Sequence, residues 1–553
     1  MRQIIALLLL WPLGAHAQAA KPEESSTIDG RVLNAVTGEP VGKASLVLMR
    51  ADSTQAFSQS DWMRSYGATS DSGGKFIIRN VDPGKYRLKA TRNGFISLEY
   101  GARSAQRSGA VLDLGSPQQL NIDLRLTPGG VIAGRVVDAD GEPLATAQVE
   151  LLRPHYVNGK KVLSTTNTAQ ANDLGEYRWS GLAPGKYYIY VENLDSLPPA
   201  SAAKEEYVPV YYPGDVSIAG STPIDVTAGA QVRAMDMIMR KAPTATVKGR
   251  VLIEVPDAHG TPEVMLEPQI GHDNSAATSH RVFWAKVDGG GGFEAHGLPP
   301  GSYTVAAGVV KQGRGYTGHA AVDVAEANIE GVVVVIGAPV SVIGRISVDG
   351  GATHDLRNAS IKLRRGGPTV DSVLLPGSYP IAKDHTFKLA ELDPDRYGFL
   401  IDGLPNGFYT KSISAGGVDV TYSGVDLASG GSGQIEVLVS PKAGLVSGAA
   451  LNPDTSQPAP GATVVLVPKE KERLAIFEFY QQATADQYGR FTFMNVVPGE
   501  YKIYAWEDVE SSAWMDPEFM KPLEDKGEAI KVEESSQANV QVTIIPTEKE
   551  APN

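Results

Sequence analysis

Apolar and polar positions alternate at period two over short stretches, most cleanly in Ile122-Asp123-Leu124-Arg125-Leu126 and Val540-Gln541-Val542-Thr543-Ile544. Such alternation turns one face of a strand to a core and the other to water. In the first part of the chain, residues 27–33, 44–48, 76–78, 86–91 and 120–126 read as strands in succession. Turn-forming clusters separate them, among them Thr37-Gly38-Glu39-Pro40 and Pro83-Gly84. Helical periodicity is nearly absent, and only 516–526 could make a turn or two. The pattern predicts short strands in antiparallel sheets packed face to face.

The strand pattern repeats. Pro-Gly-x-Tyr occurs as Pro83-Gly84-Lys85-Tyr86, Pro184-Gly185-Lys186-Tyr187, Pro300-Gly301-Ser302-Tyr303 and Pro498-Gly499-Glu500-Tyr501. A degraded copy, Pro394-Asp395-Arg396-Tyr397, fills the remaining gap, so successive prolines lie 101, 116, 94 and 104 residues apart. Proline presets one turn residue, glycine supplies a permissive second, and the tyrosine behind them can bury its ring and spend its hydroxyl on the turn backbone. Upstream of each stands an Asp that opens a turn (Asp71, Asp173, Asp288, Asp384, Asp486), followed by an aromatic (Phe76, Tyr177, Phe293, Phe387, Phe491). Each repeat opens on Gly30-Arg31-Val32, Gly134-Arg135-Val136, Gly249-Arg250-Val251, Gly344-Arg345-Ile346 or the weaker Gly448-Ala449-Ala450, and closes on an alternating strand followed by proline. The markers divide the chain into units at 27–128, 131–242, 244–338, 340–441 and 444–546, with a tail at 547–553. The repeat is about 107 residues, the size of a small β-sandwich. The links are short and contain proline, so they are semi-rigid.

Taken together, Gly-Arg-Val, then Gly141-Glu142-Pro143-Leu144 through Ala147-Gln148-Val149, then D-x-x-G-x-aromatic and Pro-Gly-x-Tyr, resemble carboxypeptidase regulatory-like domains. The resemblance implies an all-β chain of five tandem transthyretin-like (prealbumin-like) antiparallel sandwiches, Greek-key in topology, with about seven strands each. It is similar also to the collagen-adhesin B-type repeat and to starch-binding-like folds. Units one, two and five fit best, unit three keeps only its start and its Pro-Gly-x-Tyr, and unit four departs most. Tyr211-Tyr212-Pro213-Gly214 and the strand at 223–226 look like secreted bacterial proteins with tandem copies of this domain. Such a resemblance implies a fold and hardly any chemistry.

Composition narrows the setting. The 553 residues carry a net charge of −13, which points away from nucleic acid, and contain no cysteine, which removes disulfides and thiolate chemistry. Arg2, the apolar run 4–13 and Ala15-His16-Ala17 read as a cleavable signal peptide over 1–17, giving a protein exported to the periplasm or beyond. No stretch is long and apolar enough to predict a transmembrane segment.

The residues carry no catalytic constellation. No histidine beyond the signal segment has a glutamate three residues on, so a carboxypeptidase-type zinc site is absent from the pattern. Gly313-Arg314-Gly315-Tyr316-Thr317-Gly318 matches a dinucleotide fingerprint, but the alternating Ala320-Ala321-Val322-Asp323-Val324 follows where a helix is required. Asp138 and Asp140 are explained by turn geometry. The expectation is no enzyme, no cofactor and no metal. Trp179, Trp284 and Trp506 lie on strands and read as core, whereas Trp62, Tyr207, Tyr211 and Tyr212 fall in irregular insertions and are the candidates for stacking on a ligand. From Glu507 onward twelve acidic residues face four basic ones, a stretch that could dock a basic partner or simply be solvated. Two readings follow. One is a binding module, foremost for polysaccharide, with Trp62, Tyr211 and Tyr212 exposed on one surface. The other is a spacer or scaffold that meets envelope proteins, with buried rings and sizeable contacts between units. Oligomeric state is left open.

Overall fold

The computed structural model describes residues 25–51, 65–104, 107–145, 147–193, 204–256, 261–272, 281–311, 314–325, 327–351, 354–367, 373–375, 377–427 and 434–547. The segment 1–17, Trp62 and most of the tail lie outside them. Strand makes up 56% of the structure and helix 5%, and the chain is an all-β protein of packed sheets.

Unit one shows how alternation becomes a sandwich. Lys75–Val81, Ser26–Asn34 and Gln119–Leu126 form one sheet; Tyr66–Thr69, Ser45–Arg50, Lys85–Thr91 and the short Leu98–Glu99 and Leu112–Asp113 form the other. Tyr86, Leu88 and Ala90 point inward from Lys85–Thr91 and meet Ile28, Phe76 and Leu124 from the opposite sheet. Each such aliphatic side chain removed from water contributes about 1.5–3 kcal/mol. Four further clusters of buried apolar residues recur along the chain, drawn from 132–239, 245–336, 342–439 and 446–544.

Pairing is mostly antiparallel, with a parallel exception that recurs in every unit. The opening strand lies parallel to the closing strand, as in Gly30 opposite Ile122, Gly249 opposite Val332, Gly344 opposite Ile435 and Gly448 opposite Val540. A parallel pair needs a long connection, and here the rest of the unit is that connection. The same glycines stand opposite the turn aromatics Phe76, Phe293, Phe387 and Phe491 on their other side, and Gly134 of unit two stands opposite Tyr177. A Cβ at Gly30 or Gly448 would collide with the carbonyl oxygen of the closing strand, and one at Gly344 with the Phe387 ring. Units three and five depart from two separate sheets, each joining its seven strands into one. In unit three the outer members are Arg314–Val324 and Ile329–Ile336. A Cβ at Gly318 would strike the Val335 carbonyl, so glycine lets these two edges close around the core.

The Pro-Gly-x-Tyr tyrosines are buried in all five units, the degraded copy included. Each hydroxyl donates to the carbonyl four residues back: Tyr86 to Asp82, Tyr187 to Ala183, Tyr303 to Pro299, Tyr397 to Asp393 and Tyr501 to Val497, at 2.7–2.9 Å. The turns before the aromatics are capped by a side-chain oxygen that accepts two backbone N–H groups. Asp71 takes Gly73 and Lys75, Asp288 takes Gly290 and Gly292, and Asp486 takes Tyr488 and Arg490. In unit two the cap is Asn172 rather than Asp173, since Asn172 occupies the geometrically equivalent position and its amide oxygen does the same work for Leu174 and Glu176. In unit four Asp384 stands two positions later in the turn and accepts from Thr386 instead. Asp138 is likewise a turn cap, accepting from the N–H groups of Asp140 and Glu142.

The units do not run out as a string. Arg107 of unit one reaches Asp508 of unit five at 3.1 Å and Arg103 reaches Glu507 at 2.6 Å. The Gln487 N–H and side-chain amide of unit five donate to the Val111 and Asp113 carbonyls.

Gly448→Ala should destabilise unit five by about 3 kcal/mol, the upper range for forcing atoms into a filled site, seen as a lowered calorimetric transition; an unshifted transition would mean the three strands do not meet at this glycine. Burial pushes Tyr397 and Tyr501 up to about 12 from the ordinary 10.0. Because the folded value is the higher one, this stability is fully present below pH 10 and is lost as pH rises towards 12. Thermal melts across that window should show the loss, and Tyr397→Phe should remove part of its steepness.

Candidate functional site

The insertion of unit two places Tyr207 at the end of Glu205–Tyr207 and Tyr211 in Val210–Tyr211, which pairs with the core strand Gly185–Glu192. Pairing with a central strand gives the insertion a fixed register, and register decides which tyrosine faces inward. Tyr211 is 3% exposed. Its ring lies 5.0 Å from Tyr190 and meets His272 of unit three edge-on at 5.6 Å. Tyr211 is thus unavailable for stacking on a ligand, because its ring is enclosed between two units. Tyr212 is half-buried against the unit-two core, and Tyr207 is half-buried beneath the Lys241 ammonium, 4.9 Å from its ring centre. The three tyrosines are neighbours in the chain without forming an exposed platform, and Trp62 lies outside the described residues.

The interface that encloses Tyr211 is polar at its centre. The Gly271 N–H donates to the Tyr211 hydroxyl at 3.2 Å, and that hydroxyl meets His272 Nδ1 at 2.8 Å. His272 Nε2 lies 3.3 Å from Glu150 Oε2, which also accepts from the Thr165 hydroxyl at 2.7 Å. A carboxylate can only accept, so Nε2–H donates to Glu150 and leaves Nδ1 to accept from Tyr211. Burial pushes the Tyr211 hydroxyl up to about 12 against the opposing pull of the Gly271 N–H, so it remains a donor. Nearby, Arg281 of unit three sends Nη1 to Glu206 at 2.9 Å and its backbone N–H to Glu192 at 2.7 Å. Glu150, Glu192, Glu206, His272 and Arg281 are all buried. Buried charges persist only when satisfied, and here each finds its partner across the boundary between units.

A second interface is apolar. The hairpin of Gln148–Val157 and Lys160–Gln170 extends beyond unit two and places its tip, Asn158-Gly159, on unit five. Gly159 adopts φ +80°, and a Cβ there would lie 2.7 Å from the Met515 carbonyl oxygen. The Tyr156 N–H donates to Glu510 at 3.1 Å, and the Tyr156 ring packs against Phe519. Trp506 and Trp514 stack at 6.3 Å beneath this contact, both buried. The acidic stretch that begins at Glu507 therefore has basic partners within the same chain: Arg103 and Arg107 for Glu507 and Asp508, and Lys411 and Lys442 of unit four for Glu534.

Residues 27–125 and 131–238 match the carboxypeptidase regulatory-like domain family. Each match spans nearly the whole of unit one or unit two. Solved structures with similar folds include the minor pilin GBS52 of Streptococcus agalactiae, at 15% identity over 40% of this chain and 97% of that one with a TM-score of 0.23. The shaft pilin SpaA of Lactobacillus rhamnosus GG follows at 10% identity over 40% and 98%, TM-score 0.20. BcpA, the major pilin subunit of Bacillus cereus, is 12% identical over 75% of this chain and 99% of its own, TM-score 0.16. No curated protein matches the sequence.

In unit two Trp179 is core, and Trp506 of unit five is buried in the cluster at the contact with unit two. Trp284 of unit three is not: it is 57% exposed. Along Phe283–Val287 the burial alternates, with Phe283, Ala285 and Val287 inward and Trp284 in phase with Lys286 outward. That alternation was present in the sequence and outranks ring size as a guide to facing. Among the described residues no group of three or more His, Cys, Asp or Glu could hold a metal ion, and no helix is long and apolar enough to cross a membrane.

Tyr211→Phe would leave both the Gly271 N–H and His272 Nδ1 without a partner in a buried interface, at a cost of about 1–3 kcal/mol. Equilibrium urea unfolding should show that loss; parent-like stability would mean the hydroxyl is not enclosed between the units.

Proposed function

We propose that the chain is an exported, non-enzymatic scaffold of five β-sandwich domains at 27–128, 131–242, 244–338, 340–441 and 444–546, held in a fixed arrangement that presents its outer surface to envelope proteins. The observation that carries this is the return of unit five onto units one and two through Arg103, Arg107 and Tyr156. Side chains suited to a ligand are used between units instead. Tyr211, Trp506 and Trp514 are buried at these contacts, and the acidic stretch is met by basic groups of the same chain.

A second reading, polysaccharide binding, is favoured by one place. Trp284 shares the outer face of a sheet with Met265, Ala306 and His319, which follow it in register across four strands. An exposed indole beside Met265 and Ala306 offers an apolar surface to a sugar face.

Small-angle scattering of the whole chain tests the scaffold. A closed arrangement approaches the compact limit, with a radius of gyration of about 24 Å, whereas an end-to-end string of about 170 Å would give about 50 Å. The expected result is a value near the lower figure that rises in the Arg103→Ala/Arg107→Ala variant. A value near the upper figure in the parent would sink the scaffold reading. Saturable polysaccharide binding that is lost in Trp284→Ala would move the assignment to the second.

A further inference from the structure

Unit four builds the turn before its aromatic differently from its four sisters. In the others the turn opens on a capping carboxylate or amide: Asp71, Asn172, Asp288 or Asp486. Unit four has Ala382 there, and the Ala382 carbonyl still accepts the His385 N–H that closes the turn. Three positions on, the sisters place Gly74, Gly175, Gly291 and Gly489, with φ of 73°, 73°, 83° and 72°. Unit four places His385 there at φ +63°. This left-handed conformation is strained for a residue that carries a Cβ, and the sister turns show that glycine serves the fold. Strain retained at one copy of a repeated turn points to a task for the side chain.

Where the capping side chain is missing, a pocket of about 370 Å³ opens, lined in part by His354, Asp355, Arg357, Ala382, Lys383 and His385. His354 and His385 are half-buried, and His354 is held edge-on against Phe408 at 4.9 Å. The lining has one carboxylate, Asp355, and Arg357 grips it through three contacts of 2.6–3.0 Å. That grip holds Asp355 down at about 2, so it remains ionised and neutralised by its own neighbour. The turn's other carboxylate, Asp384, is taken by the Thr386 N–H and hydroxyl. Lys383 makes no hydrogen bond or ion pair among the described residues. On a chain of net charge −13, the pocket gathers an ammonium and two imidazoles around open space.

We propose that this pocket binds an oxyanion group of a small ligand, a carboxylate or a phosphate, through Lys383 and the imidazoles of His354 and His385. The ammonium supplies a mobile point charge, the imidazoles supply directional N–H donors, and charge-assisted bonds of this kind are the strong ones.

Isothermal titration of the full chain uses two separate probes, inorganic phosphate and glucuronate. Saturable one-site binding of either probe is expected, and the probe that saturates tells whether the natural group is a phosphate or a sugar-type carboxylate. His385→Gly restores the residue the sister turns use, so it folds; binding should weaken about tenfold while the melting temperature holds or rises. Lys383→Gln should weaken binding by a similar factor. Absence of saturation with both probes overturns the proposal, and so does parent-like affinity in both variants.

Discussion

The fold rests on a steric condition at one residue per unit. The glycine of the opening strand lies between a carbonyl of the closing strand and the aromatic behind the Asp turn, with no room for a Cβ at Gly30, Gly344 or Gly448. Three segments far apart in sequence are brought into register by this requirement. Once it is met, the opening strand is central in its sheet and its alternating side chains define the core. The Pro-Gly-x-Tyr turn then fixes the opposite sheet, its buried tyrosine ring anchored by a hydroxyl that donates to the carbonyl four residues back.

The contacts between units use different physics in different places. Units two and three meet through Tyr211, His272 and Glu150, a line of buried polar groups in which each member depends on the next for its partner. Such a network tolerates little sliding, because a shift of one residue leaves a charge unpaired. Units two and five meet through Tyr156, Met515 and Phe519 over stacked indoles, where close packing supplies the attraction. Units one and five add two ion pairs at the periphery, which individually contribute little, beside the directional hydrogen bonds of Gln487.

The sandwich and its recurring markers were legible because each marker is local: a glycine that needs space, an aromatic two residues past a turn, a tyrosine behind Pro-Gly. Parallel pairing of opening and closing strands was not, since an alternating pattern records which face is buried and not the direction of the neighbour. Asn172 stood in for the expected Asp173 because the turn requires an oxygen at one position, and an amide serves as well as a carboxylate. The candidate ligand residues fared unevenly. Tyr211 lies in an insertion, where exposure is the usual outcome, yet its partner His272 belongs to another unit and no pattern within unit two announces it. Trp284 was misread although the alternation of Phe283–Val287 carried the answer.

The pairing of first strand with last has a temporal side. Gly30 and Ile122 are partners across nearly the whole length of their unit, so as the chain is made each sandwich stays open along the flank of its opening strand until the closing strand emerges. Contacts of such sequence separation form slowly, and an unpaired strand edge is sticky while it waits. Arg103 and Arg107 await partners that lie some four hundred residues later, so the outer contacts of the first unit form only after its own sandwich has closed.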